Sequence, residues 1–379
     1  MASPLVQILS KLAPPPATPA PREYDGLELF RWKFLVFRPA EFKFEGLVLS
    51  LVGVYLLMYL VGKAVNGSRA KAAIAPYSTI INSQFSYIRP LLTSSPSLHL
   101  LYASGRRNVL SLHATVTLLP IHDMPSLIVH FVKSIIEPTY DGSEGLIFDL
   151  TLGRGEYGLQ GEGAGVWAVV DKGALRQTKN ARWDLTFPKL NESSSLPNTH
   201  VLFTEHSDIT DALLKTPNVG IAEILADPTA ARVLKYLLIS DVAAIRPSKG
   251  PSPAKLKSRQ VILSVTKPSN NAEVEAVQAW LQVALNIADL LSKPTLLKPE
   301  VTRKLIKTRQ TVDLDLASGY KKELDEDKPA EETPEERRAA KKRAEREKLS
   351  EKERKKLDEL DKKREMRKLS KKQGLKGQM

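Results

Sequence analysis

The chain contains no cysteine among its 379 residues, and this absence excludes several classes of protein at once. Disulfide scaffolds, Cys-ligated zinc sites and thiol catalysis all need the missing residue. A cysteine-free domain also suits the reducing cytosol, where disulfides are rare. The six histidines are scattered, and none stands at the spacing of a metal-ligand motif such as H-E-x-x-H. The sequence therefore predicts a protein that is not an enzyme and has no catalytic residue, metal site or cofactor.

One glycine pattern partly matches a cofactor motif. Residues 153–158 (GRGEYG) have the G-x-G-x-x-G spacing of dinucleotide sites and follow a predicted strand. The complete motif also needs a helix directly after it, whose N-terminus faces the pyrophosphate. Here further glycines lead straight into another predicted strand. We therefore interpret the run as a flexible hairpin loop.

Charge is absent from one long stretch near the N-terminus. Gly46–Gly62 (GLVLSLVGVYLLMYLVG) has 17 residues and no charged side chain. As a helix it is about 25 Å long, close to the hydrocarbon thickness of about 27 Å in the endoplasmic reticulum (ER) bilayer. We predict a transmembrane helix over residues 46–65. The alternative is a buried core helix, but seventeen apolar residues without a polar face need a core that surrounds them.

The charges on either side of this stretch predict its orientation. Residues 22–45 carry five acids and five bases, without bias. Beyond the stretch, six Lys and Arg side chains precede the first acid, Asp123. The positive-inside rule therefore places residues 1–45 in the lumen and the C-terminal bulk in the cytosol. Met1–Pro21 lacks a convincing signal peptide, because its apolar run is short.

Residues 66–97 are predicted to form a juxtamembrane helical segment, broken by Pro76. Residues 98–297 have the composition of one cytosolic globular domain, and we assign it the α+β class with a mostly antiparallel sheet. Alternating or β-branched runs predict six strands: Val109–Leu118, Gly145–Leu152, Val166–Val170, Thr199–Thr204, Tyr236–Ser240 and Gln260–Thr266.

Helical patterns lie between these strands. Met124–Glu137 places Leu127, Ile128, Phe131 and Ile135 on one face and stops at Pro138. Asn271–Ser292 is the clearest helix, with Asn270 as its cap and an apolar stripe that indicates core packing. Asp227 followed by Pro228 predicts another helix start.

Residues 298–379 are predicted to form a charged, largely helical tail. It begins with a basic segment, Glu300–Gln310, and residues 333–336 (TPEE) are a strong helix start. From Arg337 onward, 19 Lys and Arg stand against eight Asp and Glu. Such a helix suits contact with a polyanion. The predicted contact residues are Arg337, Arg338, Lys341, Lys342, Arg343, Arg346, Lys348, Lys352, Arg354, Lys355, Lys356, Lys362, Lys363, Arg364, Arg367, Lys368, Lys371 and Lys372.

The tail has several alternative interpretations. A coiled coil requires a sustained heptad, and the apolar residues from Leu349 to Leu369 are spaced by 8, 3, 6 and 3. We therefore favour a solvated helix that docks on a charged surface. A tail that only increases solubility remains open, as does one that binds anionic lipid or microtubules, since both are polyanionic surfaces.

Four stretches resemble a known family when they are taken in order along the chain. They are LLYASGR (100–106), VWAVVDKGALRQTK (166–179), RQVILSVTKP (259–268) and RRAAKKRAEREK (337–348). Together with the span and the basic tail, they are similar to the ER family whose animal member is called calumin. This family is the coiled-coil-domain subunit of the PAT (protein associated with translocon) complex. The resemblance covers roughly residues 45–372.

The resemblance implies a role at the ribosome-bound Sec translocon. Members assist the insertion and folding of multi-spanning membrane proteins and pair with a small membrane partner, Asterix. The polyanion met by the tail would then be ribosomal RNA. Animal members also carry a long acidic lumenal region linked to calcium binding, so a structural ER protein that handles calcium is the alternative function. The lumenal part here holds only five acids: Glu23, Asp25, Glu28, Glu41 and Glu45.

Overall fold

The structure is a computed structural model that describes residues 26–27, 29–32, 35–39, 42–137, 140, 142–153, 164–191, 196–216, 219–253, 257–293 and 296–327, with residues 360, 362, 363 and 366. The chain divides into two compact units. The first comprises Met1–Pro247 and Ser252–Asp313, and the second comprises Ser248–Pro251 and Leu314–Met379. The sheet, its core and the long N-terminal helix all belong to the first unit.

A ten-stranded sheet forms the centre of the first unit, and all its described pairings are antiparallel. A separate hairpin joins β1 (Phe30–Trp32) to β2 (Leu35–Phe37). The sheet strands are β3 (Tyr87–Ile88), β4 (Leu92–Ser95), β5 (Leu98–Ser104), β6 (Val109–Thr117), β7 (Gly145–Leu152), β8 (Trp167–Asp171), β9 (Lys189–Asn191), β10 (His200–Thr204), β11 (Leu234–Ser240) and β12 (Gln260–Thr266). Their order in the sheet is β3-β5-β6-β7-β12-β11-β8-β10-β9, and β4 pairs with β5.

Eight α-helices accompany these strands in the described part of the chain. The longest are α1 (Lys43–Gln84), α7 (Asn271–Leu291) and α8 (Pro299–Asp327). The others are α2 (Met124–Ile136), α3 (Leu175–Ala181), α4 (Ser207–Lys215), α5 (Ile221–Ala226) and α6 (Pro228–Val233), and a 3-10 turn covers Asp184–Thr186.

The main core lies between one face of the sheet and two long helices. α7 contributes its predicted apolar stripe, and Trp280 on this helix is fully buried and donates its indole N–H to the Ala230 carbonyl at 2.9 Å. The C-terminal half of α1 packs beside it, with Tyr77 buried edge-on against Phe148 of β7 at 5.6 Å between ring centroids. A smaller apolar cluster, which includes Val170, Phe203 and Ile262, covers part of the opposite face.

Most of the predicted elements are confirmed, and β7 and β12 have the predicted bounds. The capping residues are also correct: the Asn270 side chain accepts from the Glu273 N–H at 2.8 Å, and Asp227 accepts from the Thr229 N–H at 3.0 Å. β5 was not predicted, because apolar side chains dominate both of its faces and its place in the sheet depends on pairing with β3, β4 and β6.

The prediction that Pro76 would break the juxtamembrane helix is wrong. α1 continues to Gln84, and β3 and β4 lie in the remainder of the segment predicted to be helical, residues 66–97. Proline removes one helical hydrogen bond. Here the residues on both sides, Ile74 and Tyr77, are buried in the core, and the Pro76 carbonyl accepts from the Gln278 side chain at 2.9 Å. Burial therefore outweighs the lost bond.

The continuity of α1 is testable by amide hydrogen exchange. We expect the amides of Tyr77–Ile81 to exchange as slowly as those in the middle of α7, because both segments are buried in one cooperative core. Exposed Lys71 and Ala72 provide the internal comparison on the same helix. Fast exchange that begins directly after Pro76 would show that the helix ends there.

Candidate membrane interface

α1 has an exposed, uncharged N-terminal part and a C-terminal part that packs in the core. Among the described residues it alone is long and apolar enough to cross a membrane, and its most apolar window has no buried residue. The alternative of a buried core helix therefore receives no support. From Gly62 onward a buried stripe begins: Gly62, Asn66, Ala70, Ala73, Ile74, Tyr77 and Ile81. This spacing of three and four residues is that of one helical face.

The stripe extends back into the uncharged stretch through contacts with the chain segment before α2. The Tyr55 hydroxyl donates to the Asp123 carboxylate at 3.2 Å, and the Tyr59 ring meets the His122 ring edge-on at 5.8 Å. One turn later, Gly62 lies directly against His122. The segment Leu119–Asp123 therefore runs along α1 from its core-packed half toward its uncharged half.

Gly62 is needed for this close approach. A Cβ added there would lie 2.5 Å from the His122 Cα, and backbone atoms cannot rotate out of the way. Gly46, at the other end of the predicted span, has open space around its Cα. The close contact at Gly62 is therefore made within the chain, against the segment before α2.

Polar contacts hold the domain at the end of the span. Asn66 is fully buried and donates its side-chain amide to the Leu119 carbonyl at 2.9 Å. Glu144, just before β7, accepts from Arg69 at 2.8 Å, from Lys267 at 2.7 Å and from the Leu119 N–H at 3.2 Å. α1, the segment before α2 and the residue that follows β12 therefore meet at one carboxylate.

The charge state of Glu144 follows from these contacts. Burial by itself would raise the pKa of this carboxyl group, but the hydrogen bonds from Lys267 and Leu119 and the charges of Lys267 and Arg69 outweigh it. The pKa of Glu144 therefore lies below its ordinary value, and the group is ionised at neutral pH.

The first half of α8 is part of the core, which sequence reasoning did not foresee. Val301 and Leu305 are buried, and Arg309 is 4% exposed. The Arg309 guanidinium contacts Glu205 at 2.6 Å and Asp241 at 2.8 Å, and it lies over the Phe187 ring at 5.2 Å. Arg309 thus binds two carboxylates of its own domain and takes no part in binding a partner.

The opposite face of the same turns is basic and exposed. Arg303, Lys304 and Lys307 all point away from the core, next to the buried positions 301, 305 and 309. The sequence prediction treated Glu300–Gln310 as a uniformly basic segment and did not include these three residues among the contact candidates. Their spacing relative to the apolar residues was the available signal.

Most of the predicted contact residues in the tail lie outside the described residues. Of the eighteen, Lys362 and Lys363 are described, and both are helical and exposed. The glycine pattern at 153–158 is described only at Gly153, so its loop assignment stays a prediction. Among the described residues no group of three His, Asp or Glu side chains is placed to hold a metal ion, and the calcium alternative receives no support.

Substituting Glu144 tests whether the junction stabilises the domain. We expect Glu144→Gln to lower the free energy of unfolding at neutral pH by about 1–3 kcal/mol, since it removes the charge from several hydrogen bonds. Because the pKa is depressed in the folded state, the carboxylate stabilises the fold above its ordinary pKa of about 4.5, and the effect is lost as pH falls through the lower folded value.

The readout is chemical denaturation of the full-length protein in detergent, measured at several pH values from about 3 to about 7. The exposed Glu137 offers a matched control, Glu137→Gln, which should change stability little at any pH. A difference between Glu144→Gln and the parent chain that does not shrink in acid would contradict the role of the carboxylate charge.

Adding one methyl group at Gly62 tests the close approach. We expect Gly62→Ala to cost about 1–3 kcal/mol, as overpacking of a tight contact does, because the His122 backbone must move. Gly53→Ala adds the same group in open space on the same helix and should be neutral. Equal stability of the two variants in detergent would rule out the contact between Gly62 and His122.

Known proteins are similar to this chain over most of its length. A family model described as PAT complex subunit CCDC47 matches residues 41–368, which include α1 and the whole described sheet. The chain is also similar to a UPF0674 endoplasmic reticulum membrane protein of Schizosaccharomyces pombe, with 25% identity over 356 residues that cover 88% of this chain and 87% of the relative. With a match over most of its length, the chain belongs to the CCDC47 family of PAT complex subunits.

Proposed function

We propose that this protein is a non-enzymatic factor of the ER membrane that assists the insertion and folding of multi-spanning membrane proteins at the ribosome-bound translocon. Its N-terminus is lumenal and its sheet domain cytosolic. The basic tail contacts ribosomal RNA, and the membrane partners are the Sec channel and the small protein Asterix. Family membership and the ER location of the fission yeast relative support the proposal.

The rigid attachment of the sheet domain to the span carries the proposal. Because α1 is continuous and its buried stripe starts at Gly62, the sheet is held within a few helical turns of the uncharged stretch. A domain fixed there is placed to meet a large complex that sits on the same membrane. A flexible linker would not give this fixed placement.

Two sets of basic side chains supply the contact with RNA. Arg303, Lys304 and Lys307 form a basic face on the rigid unit. The tail from Arg337 adds 19 Lys and Arg against eight acids. Lysine and arginine bind the phosphate backbone without reading bases, and this kind of binding weakens steeply with salt. Folded ribosomal RNA offers such a backbone surface.

Removal of the tail tests the proposal directly. We expect deletion of Arg337–Met379 to abolish co-sedimentation of the protein with ER ribosomes at moderate salt, because most of the chain's excess charge is lost. The triple variant Arg303→Gln, Lys304→Gln, Lys307→Gln should weaken binding less. It should lower the slope of log affinity against log salt by about 2–3, if each side chain meets one phosphate.

Three exposed cations elsewhere on the rigid unit provide the control. Lys172, Arg176 and Lys179 lie on or beside α3, and changing them to Gln removes the same charge. We expect this control to bind as the parent does. Ribosome binding that survives the tail deletion, or that falls equally with the α3 control, would refute a specific role for the α8 face and the tail.

A further inference from the structure

α2 is an apolar helix that lies outside the core of the described protein. Its sequence is MPSLIVHFVKSII, and none of its thirteen residues is buried. Phe131 is 65% exposed, Ile135 66% and Ile136 75%. An apolar helix of this length is normally a core helix or an interfacial segment. The described structure excludes the first of these.

The apolar residues cover most of the circumference of α2. At 100° per residue the polar side chains, Ser126, His130, Lys133 and Ser134, fall within one narrow sector. The rest of the surface is formed by Met124, Leu127, Ile128, Val129, Phe131, Val132, Ile135 and Ile136. Exposed apolar surface of this extent marks a site of interaction in a soluble or membrane-attached protein.

Two side chains of the polar sector contact the segment that follows α2. The His130 ring meets the Tyr140 ring edge-on at 5.2 Å, and the Lys133 ammonium lies 5.9 Å from the centroid of the same ring. Tyr140 belongs to the segment that leads from α2 to Glu144 and β7. The His130 side of the polar sector therefore meets its own chain, Lys133 stays exposed beside it, and most of the apolar side is exposed.

The position of α2 along α1 points to the occupant of its apolar surface. The segment before α2 starts at Leu119, opposite Asn66, and ends at Asp123, opposite Tyr55. Tyr55 precedes Gly62, the end of the uncharged stretch, by seven residues, which is about 10 Å along a helix. Interfacial helices bury their apolar face about 5–10 Å into the boundary between headgroups and acyl chains. α2 thus starts at the depth of such a helix.

We propose that α2 lies in the membrane interface, with its apolar surface in the acyl region of the leaflet on the side of the sheet domain. Its length of about 20 Å is too short to cross the bilayer. At its N-terminus, Asp123 accepts hydrogen bonds from the hydroxyls of Tyr55 and Ser126, so the protein itself supplies donors to the carboxylate at this depth. Lys133, on the polar sector, reaches toward the headgroups.

This second attachment would change how the domain sits on the membrane. A single span leaves a domain free to rotate about the span axis. An interfacial helix beside the span fixes one side of the domain against the lipid. The proposal requires that α1 crosses the membrane, as the proposed function also does, but it does not depend on contact with ribosomes.

The absence of cysteine makes depth measurement straightforward. The full-length protein is reconstituted into phosphatidylcholine vesicles at low protein density, with single cysteines carrying an environment-sensitive fluorophore. Phe131→Cys and Ile135→Cys probe the apolar surface, and Lys133→Cys probes the polar sector. Leu57→Cys, 64% exposed in the uncharged stretch of α1, is the lipid reference. Leu110→Cys is the aqueous reference, because Leu110 is 64% exposed and lies at the start of β6, the end of that strand farther from Leu119.

We expect the labels at 131 and 135 to shift their emission to the blue and to lose quenching by aqueous iodide, as the label at 57 does. Nitroxide on the shallow acyl carbons should quench them, whereas the labels at 133 and 110 should stay open to iodide. Labels at 131 and 135 that remain open to iodide, while the label at 57 is protected, would overturn the proposal and leave the span intact.

Protection that appears only at high protein density would show that a second copy covers α2. Protection that is absent from pure vesicles but present in native ER membranes would show that a protein partner covers it. Either result would also overturn the lipid assignment. Loss or survival of ribosome binding in the tail deletion leaves these labelling results unaffected, so the failure of one proposal is distinguished from that of the other. A label at 57 that stays open to iodide would overturn both, because both require that α1 crosses the membrane.

Discussion

One face of α1 ties the uncharged stretch to the folded domain. Tyr55, Tyr59 and Gly62 contact the segment before α2, and the same face continues through Asn66 into the core. Because a helix is stiff over these few turns, the sheet cannot change its distance from the span without breaking core contacts. The junction at Glu144 adds an ion-pair network between α1, β7 and β12. The placement of every other exposed surface in the first unit depends on this attachment.

The basic residues of the first unit fall into two groups, those paired with carboxylates of the same domain and those exposed to solvent. Arg309 and Arg69 neutralise carboxylates of their own domain. Arg303, Lys304 and Lys307, a few residues from Arg309, remain exposed. Net charge alone does not separate the two groups, because it counts a buried, paired guanidinium and a solvated one equally. Burial separates them, since a buried cation must have its partner within the fold.

Local signals in the sequence predicted much of the fold. Alternation identified β6, β7 and β12, and the side chains of Asn270 and Asp227 marked helix starts that the structure contains. Two features were not predictable in this way. β5 lacks a polar face, so its pattern gives no strand signal, and Pro76 carries a strong local signal for a break. Tertiary burial decided both cases.

By itself, the sequence determined the uncharged stretch, its flanking charges, the antiparallel α+β class and the family, because these depend on composition, local periodicity and the order of short motifs. Only the tertiary structure decided that α1 is continuous from the uncharged stretch into the core, that Gly62 meets His122, and that none of the described residues buries α2. These facts depend on contacts between residues far apart in the chain, and local patterns do not encode such distances. The sequence of α2 has the same apolar pattern whether the helix packs against a protein core or contacts a bilayer.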